Sequence, residues 1–548
     1  MHDGVARNLQ FLLIEVEKQL RRTGEYLVAP NQAARAEIIH GDDYIDNLEA
    51  SIQKTSFGAA ATAREPGALA LYRSFDVVAD NLERVADLCE KVILQVAYID
   101  RSEVYAEHDF AAFLREVVAG VGHIGKALFE RDIELALKIC RVEHTLNEMY
   151  AQAFQRIFGE LQTLARDATQ TLVTLLLIAH YLERMGDALL NIGEAILSLH
   201  LGERVKISQL RALESSLDPS ALGAQLRHLS FEAMTATKSG TMVKCLSRRG
   251  PPAGEPLPRP LILKQGKLQK LLEEKDSVAR WQRLMPGLAP RIYSFHAEGA
   301  DAAILFEYLP GATFEAILLR RPWPEVEHAL ESILGKLREV WRRTQSVERV
   351  APRFLRQLSA RLDDVRAVHP EFLRGDASLG SKHIPSFVRL VDRLLAYDES
   401  LEAPFSVFIH GDFNLDNVIY DAERGAVRFI DLHRSTQMDY VQDISVFLVS
   451  LFRLKVMPVP VRAHIERTLL RFFDFAREQA ADFGDGSFNQ RLALGVARSL
   501  ATSTRFVLDA RLAQGMFMRS RYILERLGEA QRSGHVTTFE LPREVLVG

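Results

Sequence analysis

The stretch Phe408-Ile409-His410-Gly411-Asp412-Phe413-Asn414-Leu415-Asp416-Asn417, with Phe429-Ile430-Asp431 behind it, decides how this chain reads. An apolar strand, Val407 to Ile409, runs through His410 and Gly411 into a carboxylate. An amide follows five residues on, and a second apolar strand, 427–430, ends in another carboxylate. A carboxylate beyond a strand end can orient an acceptor hydroxyl and take its proton. An amide oxygen and a carboxylate suit magnesium, a hard cation that prefers oxygen ligands. Magnesium in turn offsets the charge that gathers on a phosphoryl group in transit. The set points to phosphoryl transfer, with Asp412 as the base and Asn417 and Asp431 as magnesium ligands. His410 reads as an anchor for the loop backbone and Asp416 as a turn residue. Asp443, in a helix over 440–454, reads as a buried anchor for the loop. His433 and Arg434 follow Asp431 on the side where an anionic or hydroxylated acceptor would enter; surface ion pairing is the plainer reading for both.

Working upstream, short segments near 227–235, 241–246 and 261–264 are bounded by turn residues and read as strands. The turn 235–241 offers backbone N–H groups, with Ser239 and Gly240 the positions that could approach nucleotide phosphates; a plain hairpin is the alternative. The segment 247–260, SRRGPPAGEPLPRP, reads as a solvated loop. Lys264 ends the strand Leu261-Ile262-Leu263, and a helical segment with Glu273 and Glu274 follows. A strand lysine held by a helix glutamate is one way to fix α- and β-phosphates; a surface lysine is the alternative. The strand Leu305 to Leu309 stops at Pro310-Gly311, and an adenine contact there from backbone groups of Glu307 and Leu309 depends on the fold and not on side-chain chemistry. Beyond it the periodicity gives helices over 324–346, 353–365, 385–400, 438–456, 460–481, 487–510 and 512–531.

The first half differs. From Val5 to about Leu201 apolar residues recur at three- and four-residue steps, and proline is confined to Pro30 and Pro66. One stripe is Val78, Leu82, Val85, Cys89, Val92; another is Ile178, Leu182, Met185, Leu189, Ile192. Each member of the second lies 100 positions beyond its partner. Glu83, Arg84 and Asp87 repeat as Glu183, Arg184 and Asp187. This is one helical unit used twice, so two three-helix halves are expected. Glu183, Asp187, Asn191 and Glu194 share one helix face and could coordinate a cation; a solvated face with i,i+4 ion pairs fits the spacing too.

The sequence LERMGDALLNIGE at 182–194 resembles the signature of the PhoU family of phosphate-regulation proteins, and DNLERVADLCEKV is a weaker copy. The resemblance covers about 1–205 and implies a tandem three-helix bundle. It also implies possible metal positions at Glu183, Asp187 and Asn191 and at Glu83 and Asp87, and regulation through a partner protein. Lys91 stands at the asparagine position of the first copy, where its ammonium would repel a cation. FIHGDFNLDNVIY, FIDLHRSTQMDYVQDIS and EEKDSVARWQRL resemble the catalytic loop, metal-binding segment and lysine-pairing helix of the aminoglycoside phosphotransferase and choline kinase-like superfamily. This second resemblance covers about 225–540 and implies an α+β, protein-kinase-like bilobal fold. ATP and Mg²⁺ are the cofactors it implies. It selects Glu274 as the partner of Lys264 and implies a small-molecule hydroxyl as acceptor. Two departures stand out: the turn at 237–241 is poor in glycine, and the 247–260 insertion lengthens the one after it.

The resulting organisation is a helical bundle over 1–205, a linker over 206–224, a strand-rich lobe over 225–310 and a helical lobe over 311–548. A net charge of −4, with acids and bases interleaved, argues against a nucleic-acid surface. The longest apolar run, Thr171 to Leu182, is too short to span a bilayer and is broken by His180. Three scattered cysteines form neither a metal-ligand pair nor a disulfide framework. With no signal-like start, a cytoplasmic protein is expected. The leading expectation is an ATP–Mg-dependent kinase acting on a small molecule, fused to a regulatory bundle that holds a second metal ion in one reading. The alternative is a nucleotide sensor without turnover.

Overall fold

The structure is a computed structural model that describes residues 2–62, 66–163, 166–202, 206–207, 229–236, 242–248, 260–454 and 458–546. It divides into two compact units. The first comprises Met1–Ala236 and Met242–Lys264; the second comprises Thr237–Thr241 and Gln265–Gly548.

The first unit is built on two sets of long helices: α1 (His2–Val28), α2 (Gln32–Thr62) and α3 (Pro66–Val96), then, after the short α4 (Ser102–Ala106), α5 (Phe110–Phe129), α6 (Ile133–Thr163) and α7 (Thr169–Leu201). The two stripes that repeat in the sequence form its core. All five residues of each, on α3 and on α7, are fully buried. Helix α7 packs against α3 and α6. Its approach to α6 depends on two missing side chains. A Cβ added at Gly193 would overlap Cys140 Sγ, and one at Gly186 would lie 3.1 Å from the Glu143 Cα. Gly186 and Gly193 of the second copy are therefore packing positions, with α6 in the space a side chain would fill.

Strands β1 (Leu229–Ala236) and β2 (Met242–Arg248) pair antiparallel from Leu229↔Arg248 to Ala236↔Met242. Strand β3 (Leu261–Lys267) runs across the division between the units. In the second unit, β4 (Ile292–Glu298) and β5 (Asp301–Glu307) form a hairpin in register Ile292↔Phe306 to Glu298↔Asp301. Between β3 and β4 comes α8 (Leu268–Leu284), whose buried face is Leu271, Glu274, Val278 and Trp281. A carboxylate thus sits on an otherwise apolar stripe, while neighbouring Glu273 is exposed.

The rest of the second unit is mainly helical. Strand β6 (Ala312–Thr313) leads to α9 (Phe314–Arg320), α10 (Trp323–Thr344), α11 (Phe354–Ser359) and α12 (Leu362–Val368). Then come β7 (Ala377–Leu379), β8 (Lys382–Ile384), α13 (Phe387–Ser400), β9 (Val407–Ile409), β10 (Val418–Asp421), β11 (Ala426–Phe429) and β12 (Thr436–Met438). The chain continues with α14 (Val441–Phe452), α15 (Val459–Asp482), α16 (Phe488–Ser503) and α17 (Ala510–Arg532). Strands β9 and β12 pair, as do β10 and β11, which fixes both ends of the quoted segments. Helix α16 is buried from Gln490 to Thr502 and packs on α14 and α17. Its Arg491 is neutralised by Asp439 and Asp485, and Asp485 also accepts from the Tyr440 hydroxyl at 2.7 Å.

The sequence expectation of one helix over 353–365 meets two short helices, and that over 487–510 ends at Ser503. The β7–β8 hairpin lies between the helices expected over 353–365 and 385–400. Among the described residues no helix is long and apolar enough to cross a membrane.

Candidate active site

Strand β9 delivers His410, Gly411 and Asp412 beyond the sheet edge. Gly411 has φ +83, and a Cβ there would overlap the Arg434 carbonyl oxygen, so only glycine fits. The loop is held from beneath by Asp443 on α14. Its two carboxylate oxygens accept from the His410 and Gly411 amides, each at 2.8 Å. Burial pushes this carboxyl up to about 7 against the pull of those two donors. The anchoring role expected of Asp443 is what these contacts show.

His410 is 1% exposed. Its Nε2 lies 3.0 Å from the Ile430 carbonyl oxygen, and the Asp412 amide approaches its Nδ1 at 3.3 Å. The network assigns the proton to Nε2, which donates to the carbonyl, and leaves Nδ1 as an acceptor. Burial lowers the imidazole pKa despite the opposing effect of Asp412 and Asp431. The ring is a neutral tie between the two quoted segments, as the sequence reading has it.

The Asp412 side chain is oriented on both oxygens. Asn414 Nδ2 donates to Oδ1 at 2.7 Å, and Arg434 Nη1 lies 3.2 Å from Oδ2. Asn414 is itself held by Arg453 Nη2 at 3.4 Å. Asn417, 8% exposed, donates Nδ2 to the Asp412 backbone carbonyl at 2.9 Å. That donation turns the amide so that its oxygen is the end left to face a ligand. The Asn417 carbonyl accepts from the Ile430 amide at 3.0 Å, placing Asp431 one residue beyond this joint.

Asp431 has φ 59, a left-handed conformation that costs a non-glycine residue about 1–2 kcal/mol. Such strain is a common mark of functional positions. His433 Nδ1 lies 3.1 Å from Asp431 Oδ1 and so steers the carboxylate. Glu274, Asp431 and His433 bring ligand atoms within 4.8 Å of one another, the group of three among the described residues suited to a metal ion. The two carboxylates of that group are oxygen donors of the kind magnesium takes. The imidazole is better placed as a donor to Asp431 than as a ligand.

A relay joins α8 to this loop. Trp281 Nε1 donates to Ser435 Oγ at 2.8 Å, and Ser435 Oγ donates to the His410 carbonyl at 3.1 Å. The indole also meets Phe408 at 4.8 Å and Phe429, edge-on, at 5.7 Å between ring centroids.

The other sequence candidates are placed as follows. Lys264 is buried on β3, in the part of that strand belonging to the first unit. Glu307 ends β5, and its amide donates to the Arg291 carbonyl at 2.9 Å; Leu309 lies two residues beyond the strand. Ser239 and Gly240 lie outside the described residues. In the bundle, Asp187 pairs with Arg184 at 2.8 Å and Asp87 with Lys91 at 2.6 Å. Asn191 Nδ2 donates to Asn81 Oδ1 at 3.1 Å. These positions are not drawn into a three-ligand group among the described residues, and their ion pairs match the solvated-face alternative.

Side chains absent from the sequence reading also shape the site: Asn414, inside the quoted stretch, and Arg498 and Arg505, far downstream. Asn414 was findable from its place two residues beyond Asp412.

Comparison with known proteins finds similarity to two families. Residues 253–483 match the family model described as phosphotransferase enzyme family, and residues 12–96 and 115–196 match the PhoU domain. A phosphate-specific transport system accessory protein, PhoU homolog 1 of Thermotoga maritima, is 24% identical over 209 residues, which make up 37% of this chain and 88% of that protein. The crystal structure of PhoU from Pseudomonas aeruginosa aligns at 22% identity and a TM-score of 0.34, over 36% of this chain and 97% of that one. An aminoglycoside-3'-phosphotransferase of type VIII aligns at 19% identity and a TM-score of 0.34, over 54% and 98%. The chain joins a helical region similar to the PhoU domain to a region similar to the phosphotransferase enzyme family.

Proposed function

We propose that the second unit transfers the terminal phosphoryl group of a magnesium-bound nucleoside triphosphate, ATP in the simplest case, to a hydroxyl of a small molecule. The observation that supports this best is the joint placement of Asp412, Asn417 and Asp431. One carboxylate is aimed by Asn414, one amide is turned by the Asp412 carbonyl, and a second carboxylate beside Glu274 is held in a strained conformation.

In this reading Asp412 accepts the proton of the acceptor hydroxyl as its oxygen bonds to the terminal phosphorus. The bond from that phosphorus to its bridging oxygen breaks, and the nucleoside diphosphate leaves with that oxygen. Asn417 and Asp431 would hold magnesium, which when bound neutralises charge on the phosphate oxygens. His433 keeps Asp431 turned toward it. The PhoU-like region is assigned a regulatory role through a protein partner.

Nucleoside diphosphate release, measured across a panel of hydroxylated metabolites with and without inorganic phosphate, tests the reading. Asp412→Ala is expected to cut turnover about 10²–10⁴-fold while nucleotide binding persists. Wild-type-like turnover in that variant would overturn the assignment of the base. Nucleotide binding by the wild-type chain with no consumption of any kind would make the unit a sensor.

A further inference from the structure

We propose, on the phosphotransferase reading above, that the acceptor is itself an anion: a small hydroxylated compound bearing a carboxylate, phosphate or sulfate group that Arg434, Arg498 and Arg505 hold beside Asp412.

Helix α16 carries the internal comparison that supports this. Two turns apart on that helix lie Arg491 and Arg498, both buried. Arg491 is a structural arginine, and the fold supplies it with two carboxylates, Asp439 and Asp485. Arg498 is 9% exposed and receives only neutral partners. Its Nη2 donates to Gln442 Oε1 at 2.9 Å and lies 3.3 Å from Ser445 Oγ. Its Nε is buried without an acceptor. A buried guanidinium with an unused donor is costly unless a counter-charge completes it. Burial draws its pKa down to about 10, a direction an arriving anion would reverse.

Arg505, in the turn after α16, repeats the pattern. Its Nη1 is also buried without an acceptor. The charges acting on it are Arg361 and Arg434, of like sign, and Asp364 and Asp412, of opposite sign. Arg498 in turn feels Asp412, Arg434 and Arg505. These groups therefore share one electrostatic neighbourhood with the carboxylate proposed as base. Among the described residues, Arg434 pairs with it at 3.2 Å. A cationic amine as acceptor would enter against this charge. An anion would satisfy the two idle donors, and its own hydroxyl could then be turned to Asp412.

Calorimetric titration of the full chain tests this. The probes are inorganic sulfate and glycerol 3-phosphate, set against ethanolamine and kanamycin, with AMP-PNP and magnesium present and again without them. Saturable binding of the anions and none of the cations is expected. Arg505→Gln should weaken the anions roughly 10-fold while AMP-PNP affinity is kept, which also reports a folded chain. Arg498→Gln should do the same where it folds; Arg505, at the edge of the cluster, decides the matter where it does not. Absence of saturable anion binding, anion affinity unchanged in Arg505→Gln, or preference for the cations would overturn the proposal. Failure of AMP-PNP to bind the wild-type chain would count against the phosphotransferase reading instead, and the titration without nucleotide still decides the acceptor claim.

Discussion

Carboxylates are handled in opposite ways in the two units. In the second, Asp412, Asp431 and Asp443 each face donors assigned to them: an amide side chain and a guanidinium, an imidazole, and two backbone amides. In the first, acids from α2 and α3 face one another. Glu83 is pushed up to about 7 by burial first and then by Asp46, Asp87, Glu49 and Asp42. Asp42 is pushed up to about 6 by burial, with only Gln19 pulling the other way. The second repeat is milder, since His180 and Arg184 oppose the effect of burial and Asp187 on Glu183. Donors fix where a carboxylate points; crowding fixes only how reluctant it is to ionise. The first arrangement suits chemistry that depends on geometry, and the second ties stability to pH.

The largest effect that could break this comparison lies at Asp443. Asp443→Ala would strand two buried amides, at a cost of about 2–5 kcal/mol, and should abolish phosphoryl transfer along with loop order. Thermal unfolding and an ADP-release assay check it, and an unchanged melting temperature would mean that the loop is held by something else. A smaller effect is expected in the bundle. Gly193→Ala places a methyl group onto Cys140 Sγ and should cost about 1–3 kcal/mol, read as a lower unfolding midpoint in denaturant. The equivalent position of the first repeat is Ile93, fully buried, so an unaffected variant would show that the two repeats pack alike after all.

The smallest effect sharpens the acidic side. Glu83 has a folded pKa of about 7, above its ordinary value of 4.5, so the native state binds more protons than the unfolded chain between those values. Its contribution to stability is present below that window and is lost as pH rises through it. Glu83→Gln should therefore flatten the fall in melting temperature between about pH 5 and about pH 8 and raise the melting temperature at the upper end. Parallel curves for the two proteins would remove Glu83 from the account.

The sequence is most readable where chemistry and local periodicity coincide. Asp412 and Asp431 stand just beyond apolar strands, and Asp443 opens an apolar helix, so both position and burial can be read from neighbours. The duplicated bundle is visible because each repeat buries the same stripe in the same register. Gly186 and Gly193 were in plain view, but their purpose depends on α6, a separate segment whose approach no local pattern encodes. Arg498 and Arg505 are harder still. Helix α16 is buried nearly all round, so it has no polar face to make an arginine look out of place, and the partners of Arg498 come from α14. Strands of two or three residues, such as β6 and β7, are too short to show alternation. Asp509 caps α17 through the amides of Arg511 and Leu512, a start signal that lies inside the helix expected over 487–510.

Trp281 ties the helix bearing Glu274 to the loop bearing Asp412 through one hydroxyl and two aromatic faces. Displacing that helix would forfeit the indole hydrogen bond and both ring contacts together, so its docking should behave as a single latch. Because the latch is an indole, its release would register as a change in intrinsic fluorescence, with Trp323 and Trp341 supplying the background. Opening and closing of this catalytic machinery could then be followed in the unlabelled protein.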